Sequence, residues 1–369
     1  MIARLLQVLL AALLSLHACG RQSDAIVVIA LHPHNPNILY IATNDYIYKS
    51  RDEGRSWEKV SGGMTHSRVI SMVIDPLYPA TVYAGTKGDA VYKSYDGGQR
   101  WTAQKAGLDD VTFTSVVNQL LLDPTAVGTH PPQASSHPPA PSRPRQAPAP
   151  RDAPLPVNHL WAATSMGVFE SMDGGDSWRK RMEGMKEVLV VVTVALDPVN
   201  PDIMYAGTSG GVYKSTDRAK TWAKVNSGLV SPEVLASSRA LMVNMILLDP
   251  RRPETVYAAT LNGLYKSGDG ARSWSRIGET LPDQMINVMA MDGSGTVYVA
   301  GRQGVHKTSD SGWTWKAMNA GLASLNVRSL AISPRDPQTV YLGTNGSGLY
   351  RSRDGGETWT ALPIVPAAP

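Results

Sequence analysis

The sequence predicts an all-β chain folded as a single seven-bladed β-propeller of four-stranded antiparallel blades. Three observations carry that prediction. An eight-residue box, Ser/Thr-x-Asp-x-Gly-x-x-Trp, occurs at Ser50–Trp57, Ser94–Trp101, Ser171–Trp178, Ser215–Trp222, Ser267–Trp274, Thr308–Trp315 and Ser352–Trp359. The box tryptophans stand 44, 77, 44, 52, 41 and 44 residues apart, a period in the forties that suits one blade per repeat. Between them lie short β-branched or aromatic runs bounded by Gly, Pro or Asp, the signal of strands and hairpins.

Residues 1–18 read as an export signal: Arg4, an apolar run from Leu5 to Leu16, then Ala18 before Cys19. About 12 apolar residues are too few to span a bilayer, which takes roughly 20. Leu16-His17-Ala18-Cys19-Gly20 resembles a bacterial lipobox, with His17 departing from the small or apolar residue usual there. Cys19 is the only cysteine, so a disulfide within the chain is impossible, and the expectation is a lipidated mature N-terminus. Plain secretion and an uncleaved anchor stay open. Residues 19–25 then form a tether, and the propeller occupies 26–369.

The repeat is clearest in Val191–Trp222, VVTVALDPVNPDIMYAGTSGGVYKSTDRAKTW. Its innermost strand, A, is an apolar run ending in Asp-Pro, as in Ile70–Asp75, Val117–Asp123, Val191–Asp197 and Val243–Asp249. A proline turn leads to strand B (Val82–Thr86, Val256–Thr260), a glycine turn to strand C (Gly-Val-Tyr-Lys-Ser), and the box to strand D, expected to begin at the tryptophan. Without residues 1–18 and the 33 of the segment 125–157, 318 residues remain, or about 45 for each of seven blades. Each blade is contiguous in sequence, so blades one and seven are expected to meet mainly by side-chain packing.

Asp52, Asp96, Asp173, Asp217, Asp269, Asp310 and Asp354 are read as structural, each accepting amide hydrogen bonds within its turn. Calcium would need alternating oxygen ligands and a distal glutamate, which the boxes lack, so no metal is assigned. Trp57, Trp101, Trp178, Trp222, Trp274, Trp315 and Trp359 cover the hairpins. Glycine at the fifth box position permits a positive φ; Ala219 and Ala271 replace it in blades four and five. Eleven of the 14 tyrosines fall into a strand B column (Tyr40, Tyr83, Tyr205, Tyr257, Tyr298, Tyr341, with Trp161) and a strand C column (Tyr48, Tyr92, Tyr213, Tyr265, Tyr350, with Phe169 and His306). One aromatic per blade at one register is read as blade-to-blade packing, not a sugar platform.

Two insertions lie on opposite faces. Residues 125–157 interrupt blade three between strands A and B on the face of the boxes; nearly a third are proline, and a disordered loop is expected. On the face of the B–C turns and interblade connections, Leu229–Met242 is long, and Pro232–Leu241 could form a short helix. Aligning the A strands on Asp-Pro exposes one polar column there: Asn118, Asn244, Asn287 and Arg328, against Val27, Ile70 and Val192 elsewhere. Arg68 and Asn326 lie two residues further back. These six residues, at the mouth of the central channel, are the candidate ligand site; a water-filled channel lined by asparagine is the alternative.

The formal charge is +4, but outside the leader and the proline-rich segment there remain 31 basic and 30 acidic residues, no footprint for nucleic acid or an anionic membrane. No cofactor is assigned, and no His-Glu-x-x-His or phosphate loop occurs. Glycosidase chemistry would need two carboxylates at a set separation; Asp109, Asp110, Glu187, Glu233, Glu279 and Asp283 lie near interblade connections.

The boxes, the Asp-Pro-x-x-Pro turns and the Val-Tyr-Ala-Gly-Thr strands resemble the BNR or Asp-box repeat propellers over residues 26–364, the insertion apart. That family includes bacterial sialidases, xyloglucan-cleaving hydrolases, sortilin-like receptor propellers and photosystem II assembly factors, so the resemblance implies a fold more than an activity. Sialidases carry an Arg-Ile-Pro motif, an arginine triad and a Tyr–Glu pair; this chain has no Arg-Ile-Pro, and only Arg68 and Arg328 among the channel-mouth positions. Xyloglucanases place their aspartates in a cleft between two propellers, and one propeller is encoded here. The expectation is therefore a non-enzymatic exported propeller, lipid-anchored in a bacterial envelope, that binds a protein or a glycan, with a polysaccharide hydrolase as the competing class. Assembly of a membrane complex is its specific version.

Overall fold

The computed structural model describes residues 25–64, 68–108, 116–129, 156–186, 190–229, 241–282 and 285–364. These form twenty-eight strands in seven four-stranded antiparallel sheets, each contiguous in sequence. Blade one runs Val28–Leu31, Leu39–Ala42, Ile47–Ser50 and Glu58–Lys59 as strands A to D, and the others follow the same order. Every strand A touches the A strands of both neighbouring blades, the first and seventh included, so the A strands line a closed ring. The leader at 1–18, Cys19, the tether up to residue 24 and nearly all of the segment at Pro232–Leu241 lie outside the described residues.

Two boundaries differ from expectation. Strand D starts one residue after the box tryptophan, at Glu58, Thr102, Arg179, Ala223, Ser275, Lys316 and Thr360. In blade three, strand A extends to Thr129 and strand B begins at Pro156, with Thr129, Gly128 and Val127 opposite Pro156, Val157 and Asn158. Both ends of the segment 125–157 are therefore a paired hairpin, and the loop proper is shorter than the sequence suggests.

The box works as a set of hydrogen bonds. In blade seven the Ser352 hydroxyl donates to Asp354 Oδ1 (2.7 Å) and accepts from the Gly356 N–H (2.7 Å). Asp354 also accepts from the Thr358 N–H (2.9 Å) and hydroxyl (2.5 Å). These bonds hold two consecutive residues in the left-handed region, the fourth box position as well as the fifth. Glu53, Arg218 and Ser311 occupy the fourth position at φ 60°, 58° and 63°, and Ala219 and Ala271 keep the fifth at 60° and 69°. For L-residues that conformation costs about 1–2 kcal/mol.

The tryptophan reaches beyond its own hairpin. The Trp101, Trp178, Trp222, Trp274 and Trp359 N–H groups donate at 2.8–2.9 Å to Gly62, Ala106, Glu183, Ser227 and Ala320, each just past strand D of the preceding blade. The indole N–H of Trp101, Trp222, Trp274 and Trp359 donates to Val60, Arg181, Val225 and Met318 of that blade as well. A glycine six residues after the earlier tryptophan lets the chains approach. At Gly184 (φ +90°) an added Cβ would lie 2.0 Å from the Trp222 carbonyl oxygen.

Side chains complete the joints. Strand B aromatics face the next blade and most strand C aromatics the preceding one, so each of seven apolar clusters joins two neighbouring blades. Beside five of the six strand B tyrosines, a strand C lysine reaches the next blade's box: Lys49, Lys214 and Lys307 donate to the carbonyls of Gly97, Gly270 and Gly355 at 2.9–3.1 Å. The first and seventh blades meet through Ile26, Leu39, Ile41 and Trp57 against Tyr341, Leu349 and Leu362, with no strand exchanged. Arg351 replaces lysine there and holds both the Glu53 carbonyl (3.1 Å) and its carboxylate (3.0 Å); Arg353 joins the same carboxylate.

Two predictions follow from these joints. Gly184→Ala should destabilise by about 3 kcal/mol, from backbone strain plus the clash with Trp222, whereas Ala219→Gly should stabilise by up to about 1 kcal/mol; urea midpoints of the full chain measure both. The hydrogen bonds from Thr358 and Ser352 hold the Asp354 carboxyl down to about 2. Its contribution is thus present above the unfolded value near 3.9 and lost as the pH falls towards about 2, and Asp354→Asn should shrink the acid-side drop in Tm.

Candidate functional site

The polar column of the A strands coincides with a backbone irregularity. In blades two, four, five, six and seven the A–B register slips by one residue at Ile70, Val192, Asn244, Asn287 and Arg328, and in blade three the slip falls at Asn118. These are β-bulges at the start of strand A, where an unpaired residue is re-aimed by the local bend. Three of them bridge blades. The side-chain amides of Asn118, Asn244 and Asn287 donate to the carbonyls of Val191 (2.8 Å), Ile286 (3.4 Å) and Val327 (2.8 Å), each at the start of the next blade's strand A.

Arg68 and Arg328 behave differently. Arg328 is exposed, and Arg68, one residue before strand A of blade two, is half-buried. Burial lowers the Arg68 pKa, and the nearby charge of Arg328 lowers it further, while Asp45 in the B–C turn of blade one acts the other way. Among the described residues neither arginine forms an ion pair, and Arg68 Nε is buried without a hydrogen-bond partner. Asn326 spends its carbonyl on the Asn345 N–H (2.8 Å). The structure thus groups Arg68 and Arg328 around blade one and spreads the three asparagines over blades three, five and six.

The box face carries a cluster that the sequence reading missed. At strand C of blade three, Glu170 stands where five other blades have lysine and the seventh arginine, and its cross-strand neighbour is Trp161 in place of tyrosine. Glu170 pairs with Arg181 (2.5 Å) and with His159 Nε2 (2.9 Å). His159 Nδ1 lies 3.4 Å from Asp123, which pairs with Arg218 of the next blade's box at 2.6 Å. The available signal was the coupled loss of Lys and Tyr in one repeat. Burial opposes charge on His159, but its hydrogen bonds to Asp123 and Glu170 outweigh that and raise its pKa. The same face exposes Trp313 (82%) and Tyr95 (63%). Of the interblade carboxylates, Asp109, Asp110, Glu187, Glu233 and Asp283 lie outside the described residues.

No protein-family model matches this sequence, and no curated protein matches it. Solved structures do. An ancestral GH74 enzyme aligns with TM-score 0.67 at 18% identity, over 91% of this chain and 46% of that one. YCF48 bound to D1 peptide aligns with TM-score 0.60 at 15% identity, over 89% and 93%. The extracellular domain of a hybrid two-component system from B. thetaiotaomicron aligns with TM-score 0.62 at 12% identity, over 89% and 40%. This chain spans about half of the GH74 enzyme and nearly all of YCF48. At such identities the likeness is one of fold, a seven-bladed propeller shared by an enzyme and by proteins of other kinds.

The His159 cluster yields a pH prediction. A histidine whose folded pKa is raised contributes stability that is complete below its unfolded value near 6.5 and lost as the pH rises through the folded value. Facing it are Asp123, Glu170, Arg181, Arg218 and the Trp161 ring. Thermal scans should show an alkaline decline in Tm that His159→Gln reduces; an unchanged decline would place its origin elsewhere.

Proposed function

We propose that this chain is a non-enzymatic binding propeller that engages a partner, foremost a protein, through the face opposite the boxes. The observation that carries this reading is the pair of arginines at that face's channel mouth, charged and without carboxylate partners among the described residues. Unpaired charge near the surface is costly to the free protein and useful to a bound one. The near-complete mutual coverage with YCF48, whose structure holds a peptide, supports a single propeller of this size as a peptide-binding unit. The Asp-box character of the repeat, export by the 1–18 leader, a lipid anchor at Cys19 and a role in assembling an envelope or membrane complex belong to the same proposal. A glycan is the other ligand class in view.

A polysaccharide hydrolase is the second reading, favoured by the likeness to the GH74 enzyme. That enzyme is more than twice as long as the aligned region, so a cleft between two propellers would here need a second copy of the chain.

One assay separates the two. The purified chain is incubated with plant and bacterial polysaccharides while retention and new reducing ends are measured, and its bound partners are mapped by cross-linking. Expected are no reducing ends and cross-links confined to the B–C turn face. Turnover abolished by an Asn or Gln substitution at one interblade carboxylate would establish the hydrolase, and cross-links centred on Tyr95 and Trp313 would move the partner to the box face.

A further inference from the structure

We propose that Arg68 and Arg328 together form a receptor for a carboxylate presented by a peptide, beside blade one at the channel mouth. This rests on the partner-binding reading above and names the chemistry of its site. The argument begins with the bulge. In blades three, five and six that position holds an asparagine whose amide joins the next blade. At the closing seam the joining bond comes from the following residue, because the Ser329 hydroxyl donates to the Ile26 carbonyl at 2.9 Å. Arg328 is thereby relieved of the task and projects, exposed, from a bend that turns it out of the ladder.

Arg68 flanks blade one on its other side, since strand A of blade one contacts the A strands of both blade two and blade seven, and the Arg328 charge acts on it across that strand. Its carbonyl is fixed by the Lys87 N–H at 2.8 Å, so the main chain is anchored while the Nε is left buried and unpartnered among the described residues. Elsewhere in this fold, arginines at blade junctions meet carboxylates: Arg181 with Glu170, Arg218 with Asp123, Arg351 with Glu53. Among the described residues Asp45 is the acidic group whose charge bears on Arg68, and a single carboxylate leaves the two arginines with an excess of positive charge. Two guanidinium groups offer planar donor forks that match a carboxylate, and an anion between them would cancel their repulsion.

The same reasoning makes a prediction about the unliganded protein. If the pair exists to bind, removing one charge relieves repulsion, and the full chain with Arg328→Gln should unfold at a higher Tm than the natural chain. A structural arginine would give a lower one, and that result would overturn the proposal. Binding is read by NMR titration of the full chain at millimolar concentrations with three probes at constant ionic strength: tetraglycine with a free C-terminus, amidated tetraglycine, and acetylated, amidated tetraglutamate. A carboxylate receptor binds the first or third and not the second, and Arg68→Gln and Arg328→Gln each weaken that binding at least tenfold. Binding of tetraglycine identifies a chain-end carboxylate; binding of tetraglutamate identifies side-chain carboxylates. No binding by either, or binding indifferent to both substitutions, overturns the proposal. A partner that still cross-links to this face in both variants would sink the arginine assignment while leaving the partner-binding reading intact.

Discussion

The ring depends on the tryptophan joint. Ser or Thr and Asp in the box hold two successive residues left-handed, and that turn delivers the tryptophan to the preceding blade. There the backbone N–H of five box tryptophans and the indole N–H of four bond to chain just beyond strand D, as Trp101 does with Gly62 (2.9 Å) and Val60 (2.7 Å), while Trp315 keeps its indole bond within its own box. One short motif therefore closes a hairpin and joins two blades. A change in it is felt twice, in the turn and across the joint, which is why the boxes are so much more uniform than the channel mouth.

A second layer of joints lies beneath the first and tolerates more variation. The strand B tyrosine and strand C lysine of one blade address the box carbonyls of the next: Tyr40 and Lys49 both donate to Gly97 at 3.0 Å. At two junctions the theme is rewritten around charge. The closing seam, where the first and last blades meet, uses Glu53 with Arg351 and Arg353. The junction of blades three and four uses Asp123, His159, Glu170, Arg181 and Arg218, beside the hairpin from which the proline-rich segment departs. In blades two and four Asp75 and Asp197 cap their own turns, accepting from Leu77 and Val199 at 2.8 Å. Blade three has no such turn, and Asp123 turns to Arg218 and His159 instead.

Blade number, strand order and the packing role of both aromatic columns were legible because each is written locally and repeated seven times. What the sequence hid depends on neighbours. The start of strand D is set by where pairing with strand C becomes possible, and the close approach at Gly184 is made by Trp222 of another blade. Residues 125–129 and 156–157 were misjudged because composition spoke for the whole segment, while pairing across its ends continues the strands. The polar column was found by alignment alone. That it marks β-bulges, and that its asparagines join blades, could not be read without register.

That last point bears on function. At the bulge, apolar Ile70 and Val192 have no polar group to satisfy, and Asn118, Asn244 and Asn287 spend theirs on the ring. Arg328 does neither, since Ser329 makes the seam's bond one residue later. A position that the scaffold needs in one blade and not in another is where a repeat fold can change a side chain without loosening itself. Blade one lies between Arg328 and Arg68, at the seam where the ring already carries extra ionic joints on its opposite face. The clamp on Glu53 does not involve Arg68 or Arg328, so the closing joint holds whatever these two side chains bind.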